Sequence, residues 1–463
     1  MEPSIKMRDR IQRKLIEIVG PANYSDKLID LVAYSYDGSY YSHRPDCAVW
    51  ADSTEQISQI LGFANQEKMP VVARGAGTGI SGNAIPVKGG IVLDLSRMNR
   101  ILSIQIPDRL TVVEPGVVYD KLQAALSPHG FFFPPDPASG KVCTLGGNVG
   151  TNAGGLRAAK YGTTREYVLG LQVVLANGEI MRTGARTMKT SSGYDLTRLF
   201  TGSEGTLGVF TEITLKIVPK PAETATALAA FDRLESAGEA VTRIMQSDIT
   251  PSALELLDTT IIRLLQKYTD GEIPPAAAII LAETDGRTRQ VVDHQMAYLV
   301  KLFEQCHATS VELAKTDDDA ERLWRGRKEI AGMFGELGLV NIPEDLTVPM
   351  SRISEYLTRC QSLSKKHQLA IINFGHAGDG NFHTNILYDP DDPDQKNRLE
   401  PTRLDLHELA CELGGTLTGE HGIGITKAGF MDLEHDPSAL KMMRSLKQAL
   451  DPNNILNPGK MAL

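Results

Sequence analysis

Apolar positions along the chain recur with two different periods, and the change of period divides it. Ile57, Ile60, Leu61 and Ala64 fall on one helical face, and Ser53-Thr54-Glu55-Gln56 ahead of them has the form of a capping box. A helix is therefore predicted there, followed by a short strand over 71–73. From about residue 47 to 218 the apolar runs are short and rich in Val, Ile and Leu, as in "CAVW", "PVVA", "GIVLDL", "LTVVEPG", "GLQVVLANGEI" and "GVFTEITLKIVP". These predict strands with intervening helices. In "IVPKPAETATALAAF" two prolines follow a finished strand and a new apolar run begins, which marks a boundary. From 224 to about 414, amphipathic helices expected over 234–247 and 317–334 alternate with the strand runs "AAAIILAETDG" and "AIINFGHAGDGNFHTNILY", the pattern of an α+β domain. Glycine-rich loops and a last helix before "LDPNNILNPGK" close the chain. The expected organisation is a helical segment 1–41, a first domain 42–220, a second domain 221–414, and a terminal segment 415–463.

The 463 residues, 42% of them hydrophobic, allow two or three domains with real cores. A formal charge of -9 without a long basic run argues against nucleic acid or an anionic membrane as the main partner. The first twenty residues lack the apolar core of a signal peptide and no later run is long enough to span a bilayer, so a cytoplasmic, non-transmembrane protein is expected. Cys47, Cys143, Cys306, Cys360 and Cys411 are scattered and without CxxC spacing, which argues against a disulfide scaffold or an iron-sulfur cluster. Any electrons leaving such a chain need another carrier.

Glycine clusters carry the first chemical signal. Gly77-Thr78-Gly79-Ile80-Ser81-Gly82 spells GxGxxG, which holds a dinucleotide pyrophosphate only between a strand and a helix. Asn83, Ala84, Ile85 and Pro86, then Gly89-Gly90 and a new apolar run over 91–95, predict a strand-to-strand loop instead. Its amides can form a nest for anionic oxygens, with Arg74 beside it as a fixed charge. A second cluster, "PPDPASGKVCTLGGNVGTNAGGLRAAKYGTT" (134–164), and a third, "TGSEGTLGVFTEITL" from Thr201, have the same character. Taken alone the first reads sooner as a flexible turn and the second equally as a surface loop; three beside strands of one domain favour a single large cofactor.

The segment "IINFGHAGDGNFHTNIL" predicts a hairpin with Asp379-Gly380 as a two-residue turn. Gly378 then faces Asn381, Ala377 faces Phe382, and His376 faces His383, with Cβ atoms about 5 Å apart. Both imidazoles could reach one divalent ion and Asn385 points to the same side, although a packing pair of histidines fits the hairpin equally. Glu420 and His421 lie among Gly419, Gly422 and Gly424, an unusual setting for a solvated pair. Arg322, Arg325 and Arg327 share one charge-rich helix, for most of which solvent is the expected neighbour.

In combination, "RGAGTGISGN", "CTLGGNVGTNAGG", "TGSEGTLGV", "GHAGDGNFH", "GEHGIG" and "LDPNNILNPGK" resemble the vanillyl-alcohol oxidase and p-cresol methylhydroxylase flavoprotein superfamily. More narrowly they resemble the flavin subunit of bacterial glycolate oxidase and the FAD-linked D-lactate and D-2-hydroxyglutarate dehydrogenases. The resemblance implies an α+β fold: a two-subdomain FAD-binding domain, a cap with an antiparallel sheet, and a C-terminal return to the first domain. It implies FAD with its pyrophosphate on Arg74, Gly75, Ala76, Gly77, Thr78, Gly79, Gly82 and Asn83. The flavin ring would lie against the segment from Cys143 to Gly155, with Thr144, Gly146, Gly147, Gly150 and Asn152 within it; Pro135 and Tyr161 are further cofactor-binding residues, and Glu204, Gly205, Gly208 and Val209 complete the site. The first loop has no histidine for a covalent link and Cys143 reads as a buried thiol, so the FAD is expected to be non-covalent.

The same resemblance implies His376, His383 and Glu420 as ligands of one divalent ion, zinc first, with iron or manganese open. It implies His421 as catalytic base, Arg327 as the arginine for the substrate carboxylate, and Asn385 on the substrate side. The implied reaction oxidises a small (R)-2-hydroxy acid, D-lactate or glycolate, and passes electrons to an electron-transferring flavoprotein, an iron-sulfur subunit, a quinone or oxygen. Pro343 stands where the 2-hydroxyglutarate enzymes carry a lysine, which favours a monocarboxylate. A 2-hydroxyglutarate dehydrogenase, a non-redox flavoenzyme of the same fold and an electron-relay flavoprotein with a structural metal are the alternatives.

Overall fold

The short Val/Ile/Leu runs of the first half form two sheets. In the computed structural model, which describes residues 5–268 and 273–463, Cys47–Trp50, Ile91–Asp94 and Val71–Arg74 lie parallel in that order, with Tyr24–Ser25 antiparallel on the outer edge. The Thr54–Glu67 helix links the first and third of these. Ser53 caps it by accepting the Gln56 N–H, while the Gln56 side chain returns to Asp52 N, one residue earlier than a reciprocal capping box would have it. Ile57, Ile60, Leu61 and Ala64 are fully buried against the sheet. A five-stranded antiparallel sheet follows, in the order Ile101–Gln105, Leu110–Val113, Val209–Lys216, Val168–Val174, Ile180–Gly184.

The C-terminal segment belongs to this same unit, which comprises residues up to Ala153, Thr163–Lys220 and Glu420–Leu463. Val71 N–H donates to Ile455 O at 2.7 Å, and Asn457 N–H donates to Val71 O at 2.8 Å. Ile455 and Leu456 enter the core beside Val71 and Leu61.

The second unit, Gly154–Gly162 with Pro221–Gly419, is built on one seven-stranded antiparallel sheet. Its order is Ser310–Leu313, Glu223–Phe231, Ala278–Gly286, Ala253–Asp258, Ala370–His376, Asn381–Tyr388, Val340–Thr347. Helices cover both faces. Leu234–Met245, Arg289–Gln305, Ile353–His367 and Pro393–Glu412 pack on Leu254, Leu256, Ile280, Phe382 and Ile386; Thr259–Tyr268 and Asp317–Glu336 pack on Leu257, Ile279, Leu281, Ile372 and Phe374. Double coverage explains why its central strands read as unbroken apolar runs rather than alternating ones.

The hairpin departs from the expected register. Ala377, Gly378, Asp379 and Gly380 form a four-residue loop, so His376 faces Asn381 and His383 faces Phe374. The predicted two-residue turn at Asp379-Gly380 is therefore corrected. The loop is tied from outside, since Gly378 N–H donates to Leu254 O at 3.2 Å. The slip is two residues, an even number, so His376, His383 and Asn385 keep one common sheet face.

Candidate functional site

In the first unit the three glycine clusters meet. The 75–90 stretch connects the strands Val71–Arg74 and Ile91–Asp94 without a helix, as its sequence predicts. The second cluster is not a loop throughout: Leu145–Thr151 is helical, capped by Thr144, whose Oγ1 accepts from Gly147 N. Gly202 N–H and Glu204 N–H donate to Val149 O at 2.9 Å and Gly150 O at 2.8 Å, which joins the third cluster to the second. Asn457 Nδ2 donates to both Asn83 O (2.9 Å) and Glu204 O (2.7 Å), which joins the first, the third and the C-terminal segment.

Several polar atoms buried around these loops have no hydrogen-bond partner among the described residues: Arg74 Nη1, Asn83 Oδ1, Asn148 Nδ2, Ser203 Oγ and Asn457 Oδ1. Buried polar groups are nearly always hydrogen-bonded, so such a concentration marks a polar ligand's place. Arg74 is 7% exposed; it stacks over Tyr34 at 5.4 Å and lies directly against Gly77, where a side chain would collide with its guanidinium. Backbone amides, one buried arginine and several amide and hydroxyl groups are the donor set that a dinucleotide pyrophosphate and ribitol chain require. The loops fit FAD. Cys143 is free and buried, and burial raises its thiol pKa. Glu204 turns its carboxylate to Ile423 N (2.7 Å), Gly424 N (2.8 Å) and Asn83 Nδ2 (2.7 Å). Val209 is buried at the start of its strand. In the same unit His421 Nε2 lies 3.6 Å from Glu420 Oε1, on the loop that Glu204 holds.

In the second unit the sheet face carrying the helix Asp317–Glu336 bears a block of polar residues. The registers align Glu255, His376, Asn381 and Thr347 in one cross-strand row, and Leu257, Phe374, His383 and Asp345 in the next. The two imidazole rings are 5.1 Å apart and nearly perpendicular. His376 Nδ1 is 2.5 Å from Glu255 Oε1, and Arg327 Nε donates to Glu255 Oε2 at 2.6 Å while its guanidinium lies 4.9 Å over the Phe374 ring. Burial alone would raise the Glu255 carboxyl, but its pairing with His376 and Arg327 outweighs this and holds the group down at about 2.

Among the three arginines, Arg322 is 41% exposed and pairs with Glu312, and Arg325 is exposed; only Arg327, at 15%, turns inward. Asn385 sits opposite Ile372, 2% exposed. Tyr161 donates to Asp285 Oδ2 at 2.5 Å, and Gly155 lies in the same 154–162 stretch of this unit.

Two residues here were not singled out from sequence. Glu255 is one; Asp345, fully buried, is the other, and its carboxylate accepts from Asn381 Nδ2 (2.7 Å), Thr418 Oγ1 (2.6 Å) and Gly419 N (3.0 Å). For Glu255 the available signal was a charged residue between the leucines of a short strand; the strand of Asp345 is polar enough to give none.

A glycine-loop unit of this kind, in one chain with a histidine-bearing antiparallel sheet, defines an FAD-linked oxidoreductase. Residues 45–184 match the FAD binding domain and residues 220–461 match the C-terminal domain of FAD linked oxidases, so the chain belongs to the FAD-linked oxidase family. It is 40% identical to the glycolate oxidase subunit GlcD of Bacillus subtilis, over 97% of this chain and 96% of that one. It is 35% identical to a D-lactate dehydrogenase of Anaerostipes hadrus, over 91% and 90%. The crystal structure of p-cresol methylhydroxylase with substrate bound superposes with a TM-score of 0.81 at 19% identity, over 99% of this chain and 98% of that one; the architecture is of that type. Among the described residues no helix is long and apolar enough to cross a membrane.

Proposed function

We propose that this chain oxidises a small (R)-2-hydroxy monocarboxylate, D-lactate or glycolate, to its 2-oxo acid, with non-covalent FAD and one divalent ion. The supporting observation is the buried Glu255, which joins an imidazole and an inward-turned arginine on the face that also bears His383. Bound FAD would supply the hydride acceptor, and a divalent ion on His376, His383 and Glu420 would supply a Lewis acid for the substrate hydroxyl. Imidazole and carboxylate donors suit zinc, and also iron or manganese. Arg327 orients the substrate carboxylate through its planar fork, with Asn385 facing the same side of the sheet. His421 takes the hydroxyl proton as general base. The five cysteines are free and dispersed, which favours a separate electron-accepting protein, an electron-transferring flavoprotein or an iron-sulfur subunit.

Anaerobic titration of the purified yellow protein with D-lactate, glycolate, L-lactate and D-2-hydroxyglutarate tests this. Flavin bleaching is expected with D-lactate or glycolate only, and neither a chelator-treated sample nor His421→Ala should bleach while FAD stays bound. Bleaching by L-lactate alone, or by none of the four, would refute the assignment.

A further inference from the structure

We infer that Glu255 is a positioning residue that sets two groups of the site together, fixing His376 for the metal and Arg327 for the substrate carboxylate. This rests on the function proposed above and adds a residue to it. Glu255 faces His376 directly across paired strands, so the backbone register itself brings carboxylate and imidazole together. Its neighbours Leu254, Leu256 and Leu257 are apolar and buried, and Glu255 itself is 0% exposed. A carboxylate in such a place must be fully engaged. One oxygen takes His376 Nδ1 at 2.5 Å and the other takes Arg327 Nε at 2.6 Å.

A proton held on Nδ1 makes Nε2 the lone-pair nitrogen, the arrangement in which a carboxylate orients and strengthens a histidine ligand. Using Nε for Glu255 leaves the paired Nη groups of Arg327 for a second carboxylate, and Phe374 beneath the guanidinium fixes its plane. Only a carboxylate of this length can do both. Glutamine has a single acceptor oxygen, so it serves one partner and turns an N–H toward the other; aspartate is a methylene too short to span the pair.

The test compares wild type, Glu255→Gln, His376→Ala and Arg327→Ala as purified holoprotein. Metal per chain is read after dialysis against graded chelator, together with FAD content, melting temperature and KM for the acid that bleaches the flavin. Glu255→Gln should weaken metal retention roughly 10–100-fold and raise KM about tenfold with FAD content unchanged. A purely structural role would lower the melting temperature and leave both readouts alone. If Glu255→Gln keeps wild-type metal retention and KM while His376→Ala loses metal and Arg327→Ala raises KM, the inference falls and the functional reading stands. If His376→Ala and Arg327→Ala also match wild type, or if no acid bleaches the flavin, both fall. Should Glu255→Gln not fold, 15N-histidine spectra of the zinc-loaded wild type decide: a protected Nδ1–H on a metal-bound His376 supports the inference, and ligation through Nδ1 overturns it.

Discussion

Glu204 accepts the backbone N–H of Ile423 at 2.7 Å, two residues beyond the proposed base His421. Its other oxygen accepts Gly424 N and Asn83 Nδ2, so one buried side chain fixes both the glycine loop from 75 to 83 and the loop carrying His421. Gly422, at φ 79°, allows this close approach, because a Cβ there would lie 2.6 Å from Glu204 Oε1. Glu204→Ala should therefore cost about 3 kcal/mol through the donors it strands. Stopped-flow flavin reduction should slow by tenfold or more with a smaller change in KM, because the base loses its position and the substrate arginine does not. Glu204→Gln, which keeps one acceptor oxygen, should recover part of the rate. Equal rates in all three proteins would show that the loop holds His421 unaided.

A buried lysine makes the first unit's stability depend on alkaline pH. Lys460 is 1% exposed, and its ammonium donates to Ile85 O at 2.7 Å. Burial pulls its pKa down to about 8 from the ordinary 10.5, against the opposing pull of Glu204 and Asp37. Between those two values the unfolded chain binds more protons than the folded one, so stability rises with pH across that window. Below it the full cost of burying the charge, about 3 kcal/mol, is present; above it both states are neutral and the cost is gone. Lys460→Met should flatten this component. Melting curves of the two proteins from pH 7.5 to 10.5 should converge as pH rises, and a constant offset would contradict the assignment.

The hairpin shows which part of the site could be read from residues alone. Sheet alternation has period two, so a turn misplaced by two residues still left His376, His383 and Asn385 on one face, although the partners of the histidines changed. The true loop length depends on Gly378 bonding to Leu254 in another strand, which no local pattern records. Helix Leu145–Thr151 carries three glycines in seven residues and is poor helix sequence; the cap from Thr144 and the bond from Gly146 N to Pro115 O hold it instead. Glycine spacing and the strand on each side were enough to predict that residues 75–90 join two strands without a helix. Glu255 and Asp345 stayed hidden because an acid in a short strand carries little local sign of burial, and the partners of each come from elements far away in sequence.

Gly419 offers a way to disturb the proposed metal ligand Glu420 without touching it. Its N–H donates to Asp345 Oδ2 at 3.0 Å and to Asp345 O at 3.1 Å, which pins the residue next to Glu420 onto the edge strand Val340–Thr347. A Cβ at this position would sit 2.5 Å from Thr347 Oγ1 and 2.7 Å from Asn381 Cγ, and both of those side chains are already bound to each other through Asn381 Nδ2 at 3.0 Å. Asn381 cannot retreat without breaking its bond to Asp345, nor Thr347 without breaking its bond to Asn381, so Gly419→Ala should push the backbone outward and carry Glu420 with it. One carboxylate ligand displaced from a three-residue set should weaken metal retention by roughly tenfold or more. The FAD loops draw on other residues, so flavin content should stay at one per chain. Metal and flavin measured on the same purified sample check this: normal metal with normal flavin would remove Glu420 from the ligand set, and loss of both would mean that the substitution unfolds more than the edge of the sheet.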